Sequence, residues 1–203
     1  MSDVSDGGNS MIVGAVKSAV SWVRAQSDLS HTCMSLAATG AVAAAVPGLS
    51  PTSNTFVHLA SLSTMVGTQC WVALVGGPTM FLNMERTKFG DVQARLFPKM
   101  GMVCMSMSGI AMATYLQKHS ADLAFALLTS SLVINAVNSL VVFPVTTGYM
   151  YERRKHEEGT PERKQAEKMF HIHHGISNTI NLGSIVANIA YLYILASNVV
   201  NIW

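Results

Sequence analysis

Charged residues are scarce in this chain. Only 12% of its 203 residues are Asp, Glu, Lys or Arg, whereas 50% are apolar. Soluble domains usually carry about 25% charged residues, so a normal water-facing surface is excluded. The net charge of +2 is also too small to indicate a nucleic-acid-binding protein.

Cysteines are few, and catalytic motifs are missing. The three cysteines, Cys33, Cys70 and Cys104, lie far apart in the sequence, which excludes a disulfide framework and a zinc-binding spacing. The sequence contains no P-loop, no dinucleotide-binding fingerprint, no serine-centred elbow and no His-Glu-x-x-His motif. We therefore expect neither an enzyme nor a bound cofactor or metal.

Four long stretches contain no Asp, Glu, Lys or Arg. A membrane helix needs about 20 mostly apolar residues to cross ~30 Å of hydrocarbon, and three of the stretches exceed that length. The second stretch reaches it if Lys99 extends back toward the headgroups. A soluble bundle is disfavoured, because little polar sequence remains to cover four such helices. We predict an all-α polytopic membrane helical bundle over residues 55–203, with spans at about 55–84, 96–117, 121–150 and 171–203.

The basic residues are concentrated in two loops. Residues 85–99 and 151–170 together hold ten of the thirteen Lys and Arg residues, and a four-span topology puts both loops on one side. The positive-inside rule places that side in the cytoplasm or in the mitochondrial matrix. The organelle stays open among the mitochondrial inner membrane, the endomembranes and the plasma membrane.

Residues 1–54 form an N-terminal extension to the four spans. Residues 11–26 place their valines on one face and Lys17 and Arg24 elsewhere, which predicts an amphipathic helix at the membrane surface. Residues 31–47 are Ala-rich, uncharged and short, which predicts an interfacial segment. A fifth span is the alternative for residues 31–47.

Polar side chains at membrane depth need partners inside the protein, so they indicate which helix faces point inward. Helical spacing predicts a structural polar network of His58, Gln69, Asn135, Asn138, His174, Asn181 and Asn188. Beside it, Gly175, Gly183 and Ala187 form a small-residue stripe that predicts close helix packing. Such polar groups hold helices together or line a solute path. The spans contain no carboxylate or lysine to carry a coupled charge, which favours a structural role.

Two further clusters leave a second function open. His171, His173 and His174 stand at the start of the last span, and the second span is rich in Met and Cys. Histidine and sulfur ligands can bind transition metals, although Met more often fills gaps in packing. A small-solute or metal-related transporter is therefore the alternative function.

Two segments of the chain share a pattern that resembles an internal repeat. The first span ends with Pro78 followed by Glu85 and Arg86, and the third ends with Pro144 followed by Glu152 and Arg153. A duplicated hairpin would produce this pattern. Coincidence explains it equally well, because these residues are common at membrane boundaries.

Three blocks of sequence resemble one known family. They are His58-Leu59 with Gly67, Gln69, Trp71-Val72 and Phe89-Gly90 to Leu96-Phe97-Pro98; Asn138 with Pro144, Thr146-Thr147 and Met150; and His174-Gly175 with Ser177, Asn181-Leu182-Gly183 and Asn188. Together they are similar to the transmembrane-protein-205-like family of four-span eukaryotic membrane proteins, over about residues 56–203. The resemblance implies the fold and supplies no activity. Phe143 departs from the family pattern, which can have an acidic residue before this proline.

These features favour a non-catalytic accessory or scaffolding subunit. Its partners would be the lipid bilayer and other membrane-protein subunits of a larger eukaryotic membrane complex, and no nucleic acid. The small-residue stripe and the uncharged polar groups are the features that favour it.

Overall fold

The protein is helical almost throughout. The computed structural model describes residues 29–117 and 122–200, and no strand occurs within those two ranges. The predicted amphipathic helix over residues 11–26 lies outside the described residues. In chain order, the α-helices are α1 Leu29–Ala45, α2 Pro51–Cys70, α3 Gly77–Asn83, α4 Arg86–Leu116, α5 Leu123–Val137, α6 Phe143–Glu152 and α7 Pro161–Val200.

Four helical segments are long and apolar enough to cross a membrane, which confirms the predicted all-α bundle with four spans. The second segment begins at Arg86 and the fourth at Pro161. Both starts lie about ten residues before the predicted ones, within the basic loops. Arg, Lys and Glu are good helix formers, so a helix has no reason to end at the membrane surface. We call the segments the first span, Pro51–Asn83, the second span, Arg86–Leu116, the third span, Leu123–Lys155, and the fourth span, Pro161–Ser197.

Local sequence signals fix where the spans begin. The Ser50 side chain accepts a hydrogen bond from the Ser53 backbone N–H, 3.2 Å away, and Pro51 occupies the first helical position. The Asp122 carboxylate accepts from the Phe125 backbone N–H at 2.9 Å, which caps the third span. Before the fourth span, Gly159 adopts a φ of +88°, a left-handed conformation that glycine tolerates best.

The first and third spans share a break in the helix. A π-helical stretch, Trp71–Gly76 or Asn138–Val142, directly precedes a helix with proline near its start, Pro78 or Pro144. Proline has no N–H and crowds the carbonyl four residues earlier, and a wider π turn relieves that crowding. The proline–acidic–basic pattern in the sequence therefore coincides with the same backbone feature in both spans.

The spans pack as two neighbouring hairpins. The first span lies against the second, the third against the fourth, and the second and third spans also touch. A Cβ atom on Gly101 would overlap the Ser139 side chain, which shows how closely the second and third spans approach. The core contains Leu62, Met65, Cys104, Ala111, Tyr115, Leu128 and Tyr191.

The segment predicted to be interfacial forms helix α1. It packs along the second span, where a Cβ on Gly109 would lie 3.8 Å from Thr39 Cγ2. Helix α1 has 17 residues, which at 1.5 Å per residue is about 26 Å and falls short of the ~30 Å hydrocarbon core. It is a shorter apolar helix beside the four spans.

The arrangement predicts that both basic loops face the same side of the membrane. In a variant without native cysteines, Lys88→Cys and Glu157→Cys should react with an impermeant maleimide from one side, and Gln117→Cys from the opposite side. Labelling of Lys88→Cys and Glu157→Cys from different sides would contradict the four-span topology.

Candidate functional site

A network of uncharged side chains joins three spans in the centre of the bundle. Gln69, which is 0% exposed, donates through Nε2 to Asn135 Oδ1 at 3.1 Å and to Ser184 Oγ at 3.0 Å. Its Oε1 accepts from Asn188 Nδ2 at 3.1 Å. Asn135 Nδ2 donates to Ser131 Oγ at 3.4 Å. We call Gln69, Ser131, Asn135, Ser184 and Asn188 the amide network.

A second polar cluster lies toward the end of the bundle opposite the basic loops. His58 is buried, and its Nε2 lies 2.6 Å from the Tyr191 hydroxyl. Its Nδ1 lies 2.8 Å from Thr114 Oγ1 and 3.1 Å from the Ala111 carbonyl oxygen. The Tyr115 hydroxyl donates to the Asp122 carboxylate at 2.6–2.7 Å, and the rings of Tyr115 and Tyr191 are 6.1 Å apart. This cluster joins the first, second and fourth spans.

An apolar layer separates the two clusters. Between His58 and Gln69 the first span contributes Leu62 and Met65, which are both 0% exposed, and Leu128 of the third span packs in the same core. His58 and Gln69 are eleven residues apart, or about 16 Å along a helix. Ser61 and Ser108 are also buried in this layer, where they donate to the Val57 carbonyl oxygen and to Met65 Sδ. The layer between the two clusters is therefore mostly, but not entirely, apolar.

A polar pair ties the π-helical break of the third span to the fourth span. Ser177 Oγ donates to Asn138 Oδ1 at 2.7 Å, and Asn138 Nδ2 donates to the Ser177 carbonyl oxygen at 3.3 Å. Next to this break, the Phe143 ring lies 4.9 Å from the Phe97 ring. The position where the family pattern can be acidic is thus an aromatic contact in this chain.

Two residues of the predicted network on the fourth span are not fully buried. Asn188 is buried at 0% exposure, but Asn181 is only partly buried and His174 is exposed. His174 and Asn181 each stand three residues before a buried serine, Ser177 or Ser184, and three residues turn an α-helix by about 300°, which leaves them about 60° to one side of the buried face. The inward face is formed instead by Ser177, Ser184, Asn188 and Tyr191.

The predicted helix-packing stripe makes no close contact within the bundle at its two glycines. Gly175 and Gly183 are exposed, and a Cβ on either would meet nothing within 4 Å; Ala187 is partly buried. Gly175 and Gly183 lie on the outward side of the fourth span, because the buried face is set by Asn188 and Tyr191. A side chain at either glycine would touch no other helix within the described residues.

The histidines at the start of the fourth span make separate contacts. His173 Nδ1 lies 2.8 Å from the Met169 carbonyl oxygen, His174 Nε2 lies 3.2 Å from Asn178 Nδ2, and His171 Nε2 lies 4.0 Å from Glu167 Oε1. Among the described residues, no group of three or more His, Cys, Asp or Glu side chains could hold a metal ion.

Sequence spacing missed several members of both clusters. Tyr191 and Thr114, the side-chain partners of His58, and Ser184, a partner of Gln69, were not among the predicted residues. Ser184, Asn188 and Tyr191 follow each other at spacings of four and three residues. Because this spacing places the three residues on one face of a helix, it could have indicated the buried face of the fourth span.

Comparisons with known proteins agree with this architecture. Transmembrane protein 205 of Danio rerio is 23% identical over 168 residues, which cover 67% of this chain and 89% of that protein. The chain is similar to Transmembrane protein 205. The likeness confirms the resemblance to the transmembrane-protein-205-like family, and the chain is a multi-pass membrane protein.

A family model agrees with the likeness to Transmembrane protein 205. It is described as "Domain of unknown function (DUF4149)" and matches residues 60–155, a range that includes Gln69, Asn135 and both proline breaks. No solved structure matches the chain.

The amide network predicts unequal effects of two substitutions in the fourth span. Asn188→Leu removes the donor to Gln69 and should cost about 1–3 kcal/mol of stability, because a buried acceptor loses its partner. Gly183→Leu should change stability by less than about 0.5 kcal/mol, because a side chain there meets open space. Thermal unfolding in detergent measures both. Equal destabilisation by the two substitutions would contradict the placement of the fourth span.

Proposed function

We propose that this chain is a non-catalytic accessory or scaffolding subunit of a larger eukaryotic membrane complex. The polar groups of the bundle interior support a structural role. The carboxamides of Gln69 and Asn135 are bound to neighbouring side chains, and each such interhelical hydrogen bond contributes about 0.6–2 kcal/mol. Side chains used in this way hold the spans together.

The outward side of the fourth span provides the surface on which a partner would pack. Gly175, Thr179 and Gly183 follow each other at four-residue spacing, and all three are exposed. Leu182 and Val186, at 61% and 58% exposed, lie beside them. Small residues at this spacing let two helix backbones approach closely in a membrane. We call these five residues the outward face and propose that a helix of another membrane protein packs on it.

The orientation of the subunit follows from its basic loops. Arg and Lys near membrane helices favour the cytoplasmic side of a membrane, or the matrix side in mitochondria. We therefore propose that residues 85–99 and 151–170 face the cytoplasm or matrix. The outward face begins close to these loops, because Gly175 lies only seven residues after Lys168.

Purification of the full chain from its native membranes in mild detergent tests the proposed function. Size analysis and mass spectrometry should find it in a particle well above its own 21.7 kDa, together with specific membrane proteins. The double variant Gly175→Leu/Gly183→Leu should lower partner recovery about 10-fold, equivalent to about 1.4 kcal/mol, without lowering the melting temperature.

Gly67→Leu is the matched control for that experiment, because Gly67 is an exposed glycine of the first span with nothing within 4 Å of a built Cβ. It should keep the partners. A monodisperse monomer from native membranes, or equal loss of partners in the control, would contradict the proposal. Saturable solute uptake by the purified chain in proteoliposomes would favour a transporter.

A further inference from the structure

One carboxamide of the fourth span faces the membrane. Asn178 is exposed, whereas Asn188, on the same helix, is 0% exposed. The other exposed carboxamides among the described residues belong to Asn83, Gln117 and Gln165. Each of those three has a charged residue within two positions in the sequence, so water is within its reach. Asn178 has no such neighbour.

Asn178 lies at the depth of the hydrocarbon. The charged residue that precedes it on the fourth span, Lys168, is ten residues earlier, or about 15 Å along an α-helix. The adjacent residue Ser177 donates to Asn138 Oδ1 at 2.7 Å, and Asn138 stands near the middle of the uncharged stretch of the third span. Both observations put the Asn178 side chain below the headgroups, where neither water nor acyl chains supply hydrogen-bond partners.

Most of the hydrogen-bonding capacity of Asn178 is unused. A carboxamide has two N–H donors and an oxygen with two lone pairs. Asn178 Nδ2 lies 3.2 Å from His174 Nε2, which accounts for one donor, and Oδ1 accepts no hydrogen bond from any described residue. By contrast, the buried carboxamide of Gln69 uses both its nitrogen and its oxygen. An exposed amide in hydrocarbon therefore points to a hydrogen-bond partner on another molecule.

The residues next to Asn178 leave room for a helix to approach. Residues three and four positions apart are neighbours on a helix surface, so Gly175 and Leu182 of the outward face flank the Asn178 side chain. A Cβ atom on Gly175 would meet nothing within 4 Å. A helix backbone can therefore come close enough at Gly175 for one of its side chains to reach the Asn178 amide.

We propose that Asn178 docks a carboxamide on the partner helix of the outward face. An Asn or Gln side chain offers a donor and an acceptor side by side, so it can donate to Asn178 Oδ1 and accept from the second hydrogen of Asn178 Nδ2. This inference rests on the proposed function and adds the chemistry that recognises the partner. The small residues allow close approach, and the pair of amides fixes the depth and rotation of the partner helix.

Other side chains suit this position less well. An ionised side chain on the partner would be costly at this depth. Hydroxyl groups of Ser and Thr in membrane helices often bond their own backbone, as Ser61 does here with the Val57 carbonyl oxygen at 2.8 Å. A carboxamide is uncharged and keeps both a donor and an acceptor free for the neighbouring helix.

Photo-cross-linking from the full chain in its native membranes tests the docking point. p-Benzoylphenylalanine in place of Leu182, which is 61% exposed, should form an adduct with a transmembrane segment of another protein. Mass spectrometry should find an Asn or Gln within about two helical turns of the cross-linked residue. Asn178→Leu should lower the adduct yield about 3- to 30-fold, the range that one interhelical hydrogen bond supports. Asn178→Gln should keep the yield within about 2-fold, because the carboxamide is retained.

Two measurements separate docking from folding and from surface polarity in general. Asn178→Leu should leave the melting temperature of the purified chain unchanged, because the described contact of Asn178 is with the exposed His174. Thr64→Leu is the matched control, since it removes an exposed polar side chain of the first span three residues from the exposed Gly67. It should leave the adduct yield unchanged.

The outcomes distinguish this inference from the proposed function. Absence of any protein adduct, or an adduct only with a second copy of the chain, would contradict both. An adduct with another membrane protein whose yield is unchanged by Asn178→Leu would overturn the docking role of Asn178 alone. So would a cross-linked segment without Asn or Gln. In those two cases the proposed function would stand.

Discussion

A carboxamide buried in hydrocarbon must find its hydrogen-bond partners inside the protein, because lipid offers none. Gln69 meets this requirement with partners on two other spans, Asn135 on the third and Ser184 and Asn188 on the fourth. Sliding or rotating any of these spans would leave a buried amide group without a partner. The amide network therefore fixes how the two hairpins sit against each other, in a medium where apolar burial alone gives little preference between helix faces.

The two prolines stand at the same distance from the amide network, but the helices that follow them differ in burial. Gln69 and Asn135 each lie nine residues before a proline, Pro78 and Pro144. Beyond Pro144 the chain reads Thr146-Thr147-Gly148, small side chains that pack against the fourth span, and these residues are buried. Beyond Pro78 it reads Met80-Phe81-Leu82, and these residues remain partly or fully exposed. The helix after Pro144 is therefore buried in the bundle, whereas the helix after Pro78 is not.

The spans could be predicted from the sequence, because crossing a membrane requires only length and a lack of charge. The inward positions of Gln69 and Asn135 could also be predicted, since a buried amide indicates its own helix face. The face of the fourth span that points into the bundle could not be predicted. His174 and Asn188 both lie on one flank of the buried stripe of Ser177, Ser184 and Tyr191, and a spacing of seven residues does not tell which flank position a neighbouring span covers. Tyr191 was not predicted, because only amides and imidazoles were considered as buried polar groups.

The central claim is that Gln69 and Asn135 hold the two hairpins in register through a direct hydrogen bond. A double-mutant cycle with Gln69→Leu and Asn135→Leu, measured by reversible unfolding in mixed micelles, tests it most directly. The account predicts that the double variant loses less stability than the two single variants together, by a coupling energy of about 0.5–1.7 kcal/mol. Strictly additive losses would show that the two carboxamides do not interact and would contradict the account.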